Sequence, residues 1–496
     1  MQIIKDKRNI LFLLFVVLII LNFINNPSIA VVQIFSLIFV ILIRKKYSSD
    51  IRKQLYFTTI LFSIISYNMK IKLTDRYDLY FSYISILIYY LNFITVNINN
   101  IHIKNLKKFI KDKYTIFFAV FVLYSTLSLF FVQNIEAGIS LYITYLIMFS
   151  VIVMIYLENK SLNDIKETFS FLKYLYCGVL FLGTLEIFKI RYGVITNYVE
   201  LGLIGTGKEY FERIPIVFFY NQNNYAVFLV LGIALLFAGI IFTDKKLDKI
   251  IYIILFIISE INLIFTTSRI CWISLFIIFF IGIAIGILIK KKSIIKASFK
   301  YGVLSLIIFI IFSALPFSSK YYGKFNATPF LKMLSIDINN NDNEDKNEVP
   351  LKLGGNGSNN ERYTLIYDVI KGVIIEKNYL GFGVGNIAEY IRLQDNTFGI
   401  TNPHSLWFEV LGDFGIPILI YYIYIYLSMS FDSLKIYKNC SNEFKPYIVA
   451  ISITTLVFVF LAFAPSSVIA YSPFWILMGI SGSFVSNILK RNDGVI

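Results

Sequence analysis

The chain has 496 residues, of which 57% are hydrophobic and only 16% charged, with a formal net charge of +15. Soluble domains average about 45–50% apolar and about 25% charged residues, so this composition excludes an ordinary water-soluble fold and calls for a lipid solvent. The positive charge does not point to nucleic acid, because the basic residues are spread over short connections and form no cluster on a soluble module.

Apolar stretches close to the roughly 17 to 25 residues needed to cross a hydrocarbon core of about 30 Å recur along nearly the whole sequence. They predict an all-α integral membrane protein with about 14 (12–14) transmembrane helices, near residues 10–25, 29–43, 54–68, 79–97, 115–133, 138–157, 172–188, 224–242, 250–266, 270–289, 301–316, 404–428, 447–464 and 470–488. A basic start precedes the first, as in a signal peptide, but further spans follow at once and it reads as an uncleaved anchor. The second is short, and a re-entrant segment is the alternative there.

Lys and Arg gather in one set of connections, among them Arg44, Lys45, Lys46 and Lys290, Lys291, Lys292. By the positive-inside rule that set is cytoplasmic, which places both termini, with Lys490 and Arg491 at the end, on the inner side. Four regions result: N-terminal spans in 1–200, central spans in 201–316, one large extracytoplasmic loop at 317–403, and C-terminal spans in 404–496. Cys177, Cys271 and Cys440 sit in or beside three different spans, with neither disulfide nor metal spacing. No internal repeat of the transporter kind is visible.

Long loops among tight helix connections usually carry function. Residues 337–360, DINNNDNEDKNEVPLKLGGNGSNN, are too polar to bury a core. Asp337, Asn339, Asn341, Asp345 and Glu348 fall at calcium-loop spacing, but the sixth position is Asp342 where a Gly is needed, so chance composition explains them better. Tyr363, Ile366, Ile370, Val373 and Ile374 then predict an amphipathic helix over 361–376, with Arg362 at its edge. GFGVGN, Gly381 to Asn386, lacks the spacing of a dinucleotide fingerprint and reads as a turn or a close backbone approach.

Three polar features fall at the same external face. Arg269 ends TTSR at a tight turn, where an isolated Arg is equally well explained by snorkelling to the interface. His404, in TNPHSLWFEV, stands where the loop re-enters the membrane, and a structural role is the commoner one for such a His. Asn221 to Asn224, NQNN, begins the span at 224–242, as helix-capping residues do. Within spans lie Glu186, Glu260, Glu409 and Asp413, acids that packing hydrogen bonds or an ion path would explain. The last two share a helix face at i, i+4.

In this order, the motifs resemble the O-antigen ligase and polymerase superfamily, membrane glycosyltransferases that handle polyprenyl-linked sugars at the outer face of the cytoplasmic membrane. The family signature is a His, then Asn, Ser or Gln, then nine residues and a Gly; His404, Ser405 and Gly415 fit it, with Ile416 and Pro417 following. TTSR resembles the family's Ser-Arg turn, Arg362 its loop Arg, GFGVGN its Gly-rich step, and Tyr220 to Ala226 its Asn-rich helix start. The likeness covers about residues 215–430. Ser405 stands where Asn is commoner, and the insert at 337–360 lengthens the loop.

The resemblance implies transfer of a glycan from a polyprenyl diphosphate donor to a hydroxyl of a glycan or lipid-linked acceptor. Arg269 and Arg362 would hold the diphosphate and His404 would be the general base. Asn221, Asn224, Gly383, Gly385, Asn386 and Ser405 would bind substrate, with no metal and no cofactor. Membrane lipid, a flippase and a chain-length regulator are the further partners it implies, in a bacterial cytoplasmic membrane. An Ile, Asn, Lys and Tyr bias, read as an AT-rich genome without lipopolysaccharide, favours a polymerase over a ligase. The competing class is a transporter or lipid-linked sugar flippase that uses the four intramembrane acids.

Overall fold

The computed structural model describes residues 2–72, 78–97, 112–192, 199, 201, 203, 211–315, 352–355 and 358–489. About three-quarters of these are helical. The first half of the chain contributes α1 (Gln2–Asn25), α2 (Ala30–Lys46), α3 (Ile51–Ile64), α4 (Phe81–Asn97), α5 (Lys113–Ser128), α6 (Ile135–Glu158) and α7 (Leu162–Ile187). The central spans are α8 (Gln222–Phe242), α9 (Lys246–Phe265), α10 (Arg269–Leu288) and α11 (Lys292–Ala314). After the loop helices α12 (Ser358–Ile370) and α13 (Ile387–Gln394) come α14 (Leu406–Ile436), α15 (Lys445–Leu461) and α16 (Ser472–Ser483). Among the described residues the strands are β1 (Lys70–Lys72) and β2 (Asp78–Tyr80), paired antiparallel with Ile71 opposite Leu79.

Each of the fourteen apolar segments expected from the sequence coincides with one of these helices. Among the described residues seven helical segments, including Pro27–Lys46, Gln222–Phe242 and Leu406–Ile436, are long and apolar enough to cross a membrane. The segment at 29–43 is thus a helix of spanning length once its leading turn is included. Large apolar side chains such as Leu13, Leu87, Leu123, Phe280 and Phe299 point outward from the bundle. Water would not stabilise such a surface, whereas hydrocarbon does, and the molecule is an all-α membrane protein.

Helix starts differ from expectation where the first turns are polar. Helix α7 begins ten residues before 172, capped by Ser161, whose side chain accepts from Asp164 N while Asp164 accepts from the Ser161 backbone. Its charged first half lowers the local hydropathy but still buries Ile165, Thr168 and Phe171.

The loop that interrupts the spans is described only in its second half. Most of 337–360, including the calcium-like spacing, lies outside the described residues. The expected helix at 361–376 is present as α12 continued by a π-helical turn, Lys371–Ile375. Its buried stripe is shifted, however: Leu365, Val369 and Val373 are enclosed, while Tyr363 and Ile374 stay exposed. The two stripes are neighbours on the helix. What selects between them is a second small core, in which Leu365, Val369 and Val373 pack with Ile387, Ile391 and Leu411. That core seats the second half of the loop directly on α14.

Helix α14 is broken inside. Gly415 takes φ 74° and ψ −174°, and Pro417 follows it. Proline has no N–H to give its i−4 carbonyl, that of Asp413, and in a membrane such a group must find a partner within the protein. The Gly-rich segment supplies it: Gly383 N donates to Asp413 O at 2.9 Å and Phe382 N to Gly412 O at 2.8 Å, while Ile416 N donates outward to Tyr379 O at 2.9 Å. The Asp413 carboxylate in turn accepts from Gly385 N and Ile387 N at 2.9 and 3.0 Å.

Contact this close tolerates no side chain. A Cβ on Gly381 would lie 2.6 Å from Asp413 O, and one on Gly415 2.2 Å from Tyr379 O. Gly415→Ala is therefore expected to destabilise the fold by about 2–4 kcal/mol, since it adds a clash to a backbone conformation that only Gly adopts freely. The measurement is the thermal midpoint in detergent. An unchanged midpoint would mean that the break is not fixed by this backbone contact.

Candidate functional site

Three segments distant in sequence converge on the hairpin between α15 and α16, residues 462–471. The first comes from α12. Arg362 is half-buried and donates from its guanidinium to Phe463 O at 2.6 Å. The second is the start of α14, where Leu406 N donates to Ala462 O at 3.2 Å. Just before it, the His404 imidazole lies against the backbone of Pro465 and Ser466.

The third is the start of α8. Asn221 caps that helix by accepting from Asn223 N and Asn224 N at 3.0 Å each, as capping residues do, and its Nδ2 donates to Ser466 Oγ at 2.6 Å. Tyr471 OH closes the same joint by donating to Asn224 O at 3.0 Å. The first turn of α14 adds a further contact: Glu409 accepts from Ser467 Oγ at 3.4 Å.

His404 is held in an unusual backbone conformation, φ 53°, with its N–H donating to Asn402 Oδ1 at 2.7 Å. A non-glycine residue in the left-handed region is uncommon and persists only where its surroundings fix it. Burial, and then the nearby Arg362 charge, hold the imidazole below the ordinary histidine range; the backbone of Pro465 and Ser466 acts in the other direction. Arg362 is itself lowered, first by burial and then by the charge of Arg269. Arg269, Arg362 and His404 are thus one electrostatic group, two guanidiniums and a neutral imidazole.

Arg269 is placed by the turn before α10. Thr267 takes φ 56°, Thr266 Oγ1 donates to Leu263 O at 2.6 Å, and Trp272 Nε1 donates to the same carbonyl at 2.9 Å. These bonds fix the end of α9 against the start of α10 and leave Arg269 half-buried at the first helical position. Among the described residues Arg362 makes no ion pair with a carboxylate, and no cluster of His, Cys, Asp or Glu is fit to hold a metal ion. Close by, His404 Nδ1, Ser405 Oγ and Glu409 Oε1 are buried without a hydrogen-bond partner in the protein.

Residues 253–423 match the family model described as O-Antigen ligase. The resemblance read from the sequence to an O-antigen ligase-like family is borne out. The matched stretch contains Arg269, Arg362, Gly383, Gly385, Asn386, His404 and Ser405. Over 381 residues the chain is 24% identical to the teichuronic acid biosynthesis protein TuaE of Bacillus subtilis (strain 168), covering 76% of this chain and 72% of that protein. No solved structure matches.

Within the O-antigen ligase-like region the residues fall into two groups. Arg362, His404 and Ser405 meet at the hairpin, and the Arg269 charge lies close to Arg362. Gly383, Gly385 and Asn386 instead pack against the break in α14 and the turn before α6: Asn134 N donates to Asn386 Oδ1 at 2.8 Å and Asn386 Nδ2 to Asn134 O at 3.2 Å. The Gly-rich step and the Gly415-Pro417 end of the His motif are therefore halves of one backbone joint. It sets the course of α14, at whose start His404 stands.

The four acids are likewise accounted for singly. Glu186 accepts from Ile216 N and Val217 N at 2.6 and 2.7 Å and pins the segment leading to Asn221. Glu260 accepts from Ser305 Oγ on α11. Asp413 serves the broken helix, and Glu409 faces the hairpin. Glu186 and Glu260 sit at separate joints of the bundle, while Glu409 and Asp413 lie one turn apart on α14.

No motif singles out Ser466, Ser467 or the hairpin itself, which lies outside the matched stretch. The visible signal was modest: Pro465, Ser466 and Ser467 interrupt two apolar runs. Ser466→Ala removes the acceptor of Asn221 Nδ2, a hydrogen bond whose loss costs about 1 kcal/mol. A fall of roughly fivefold in glycan assembly is expected, with unchanged membrane levels of the protein, measured by quantifying both in the same cells.

Proposed function

We propose that this chain is a membrane glycosyltransferase that polymerises or ligates polyprenyl-diphosphate-linked oligosaccharide at the extracytoplasmic face, for a cell-surface polysaccharide. The observation that carries this reading is the meeting of Arg362 and His404 at one hairpin with the Arg269 charge beside Arg362, three residues from stretches far apart in the chain. The match to O-antigen ligases and the likeness to a teichuronic acid biosynthesis protein support it. The charge pattern, with Arg44 to Lys46 and Lys290 to Lys292 at the opposite end of the bundle, supports fourteen spans, inner termini and an outward-facing site.

In the reaction, an acceptor hydroxyl oxygen attacks the anomeric carbon while the bond from that carbon to the diphosphate oxygen breaks. Polyprenyl diphosphate leaves with the electron pair. Its new charge falls to the guanidiniums, which stay protonated and can each give two parallel hydrogen bonds to phosphate oxygens. Two like charges held close together in a partly dry site favour an anion between them. The hydroxyl proton passes to His404, whose lowered pKa keeps it unprotonated and ready to accept at neutral pH.

The buried, unpartnered atoms of His404, Ser405 and Glu409 are the kind of polar demand that the hydroxyls of a sugar satisfy. Asn221 and Asn224 border the same space through Ser466 and Tyr471. Two cationic side chains take the part that a divalent ion plays in other transferases, so the proposed reaction needs no metal. Gly383, Gly385 and Asn386 act on substrate only through the position they give to α14.

Polymerase is slightly favoured over ligase on the compositional bias described above. Glycan analysis in a deletion strain tests both. Single repeat units left on the lipid carrier mean a lost polymerase, and long chains left unattached mean a lost ligase. Unaltered surface polysaccharide would contradict both.

A further inference from the structure

At the end of the bundle away from His404, a cleft of about 850 Å³, counted to its open mouth, lies between α7, α8, α9 and α15. A second cavity adjoins it, and the two share Phe169, Leu172, Tyr176, Gly232 and Leu235 in their walls. Ile64, Phe228, Leu231 and Ile476 line the second. Its polar atoms are already used: Tyr176 OH donates to Ser259 Oγ at 2.7 Å, and Thr454 Oγ1 to Ala450 O at 2.8 Å. Such a space offers water nothing and suits hydrocarbon.

The mouth is different. Lys166 and Lys173 line it, two turns apart on the same face of α7. Lys166 pairs with Glu443 at 3.0 Å in an exposed, weak contact, and the Lys173 ammonium stands 5.6 Å from the Tyr252 ring. From Lys166 to Tyr176 the cleft follows ten residues of helix, about 15 Å at 1.5 Å each. That is the depth of one leaflet, half of a hydrocarbon core of about 30 Å.

A cationic mouth that gives way to apolar walls within the depth of one leaflet fits an anionic amphiphile. We propose that this cleft binds an anionic glycerophospholipid of the adjoining leaflet, with its phosphate between Lys166 and Lys173 and one acyl chain lying along α7 and α8 as far as Tyr176 and Gly232. This site is separate from the hairpin, and the inference does not rest on the transferase reading.

Native mass spectrometry of the purified full-length chain tests it, using phosphatidylglycerol and phosphatidylcholine with identical acyl chains. Phosphatidylglycerol should be retained preferentially. The double variant Lys166→Ala, Lys173→Ala should bind it about 25-fold more weakly, roughly fivefold for each lysine, and should bind phosphatidylcholine as before. Leu235→Trp, which fills the channel, should exclude both lipids. Equal retention of the two lipids by the native chain would overturn the proposal, as would undiminished phosphatidylglycerol binding by the lysine variant or by Leu235→Trp.

Discussion

His404→Ala is expected to lower glycosyl transfer by about 10²- to 10⁴-fold, the contribution of a positioned general base, while leaving the amount of protein in the membrane unchanged. The structure gives the reason for both halves of that statement. The imidazole rests against the hairpin backbone at Pro465 and Ser466 and fills no place in the apolar core, so its removal leaves the bundle intact. The backbone at this position is fixed independently by the Asn402 bond. Near-native activity of His404→Ala would remove the base assignment.

The same residue fixes the sign of the pH dependence. A base works when unprotonated, and burial together with the Arg362 charge moves this imidazole below the ordinary value of about 6.5. Activity should therefore be complete at neutral pH and fall on acidification through a midpoint under about 6.5. Initial rates measured between pH 4.5 and 8 locate it. Arg362→Gln, which deletes the neighbouring positive charge, should shift the midpoint of any residual activity upward.

The second large effect is expected at the guanidiniums. Arg269→Lys and Arg362→Lys each keep a positive charge, yet each is expected to lose activity by about 10²- to 10³-fold, because an ammonium gives up the planar two-point contact to phosphate. Arg362→Lys also loses the fixed contact with Phe463 O that aims the side chain. If the Lys variants were as active as the native chain, charge alone would suffice and the two-point clamp would be wrong. The test belongs on purified protein, where transfer and lipid-linked donor binding are read separately.

The helices were legible in the sequence because lipid imposes a simple length and composition rule, and even the short segment at 29–43 lies on a helix. Starts such as that of α7 were less legible, since a polar first turn carries no hydropathy signal although its capping box is plain in Ser161 and Asp164. The amphipathic stripe of α12 was displaced by one neighbour. Periodicity names the candidate faces, but the partner that chooses between them, the Ile387 and Leu411 side of the small core, is remote in sequence.

For the site, residue chemistry and motif order brought Arg269, Arg362 and His404 forward together. Two things were hidden. The hairpin that joins them acts largely through backbone carbonyls, at Phe463, Pro465 and Ser466, and main-chain groups leave no mark on the residue pattern. The partnership of GFGVGN with Gly415 and Pro417 is also a backbone matter, the repair of a broken helix. The residues themselves pointed to a turn or a close backbone approach, without naming the partner, and the family resemblance implied a surface for substrate.

The central claim is that Arg269, Arg362 and His404 form one transferase site. It is tested most directly by incubating the purified chain in lipid vesicles with a polyprenyl-diphosphate-linked oligosaccharide, in the presence of a divalent-metal chelator. Elongated or transferred glycan should appear with stoichiometric release of polyprenyl diphosphate, and His404→Ala and Arg362→Ala should abolish both products. Product formation that survives these substitutions, or that requires an added divalent cation, would contradict the account.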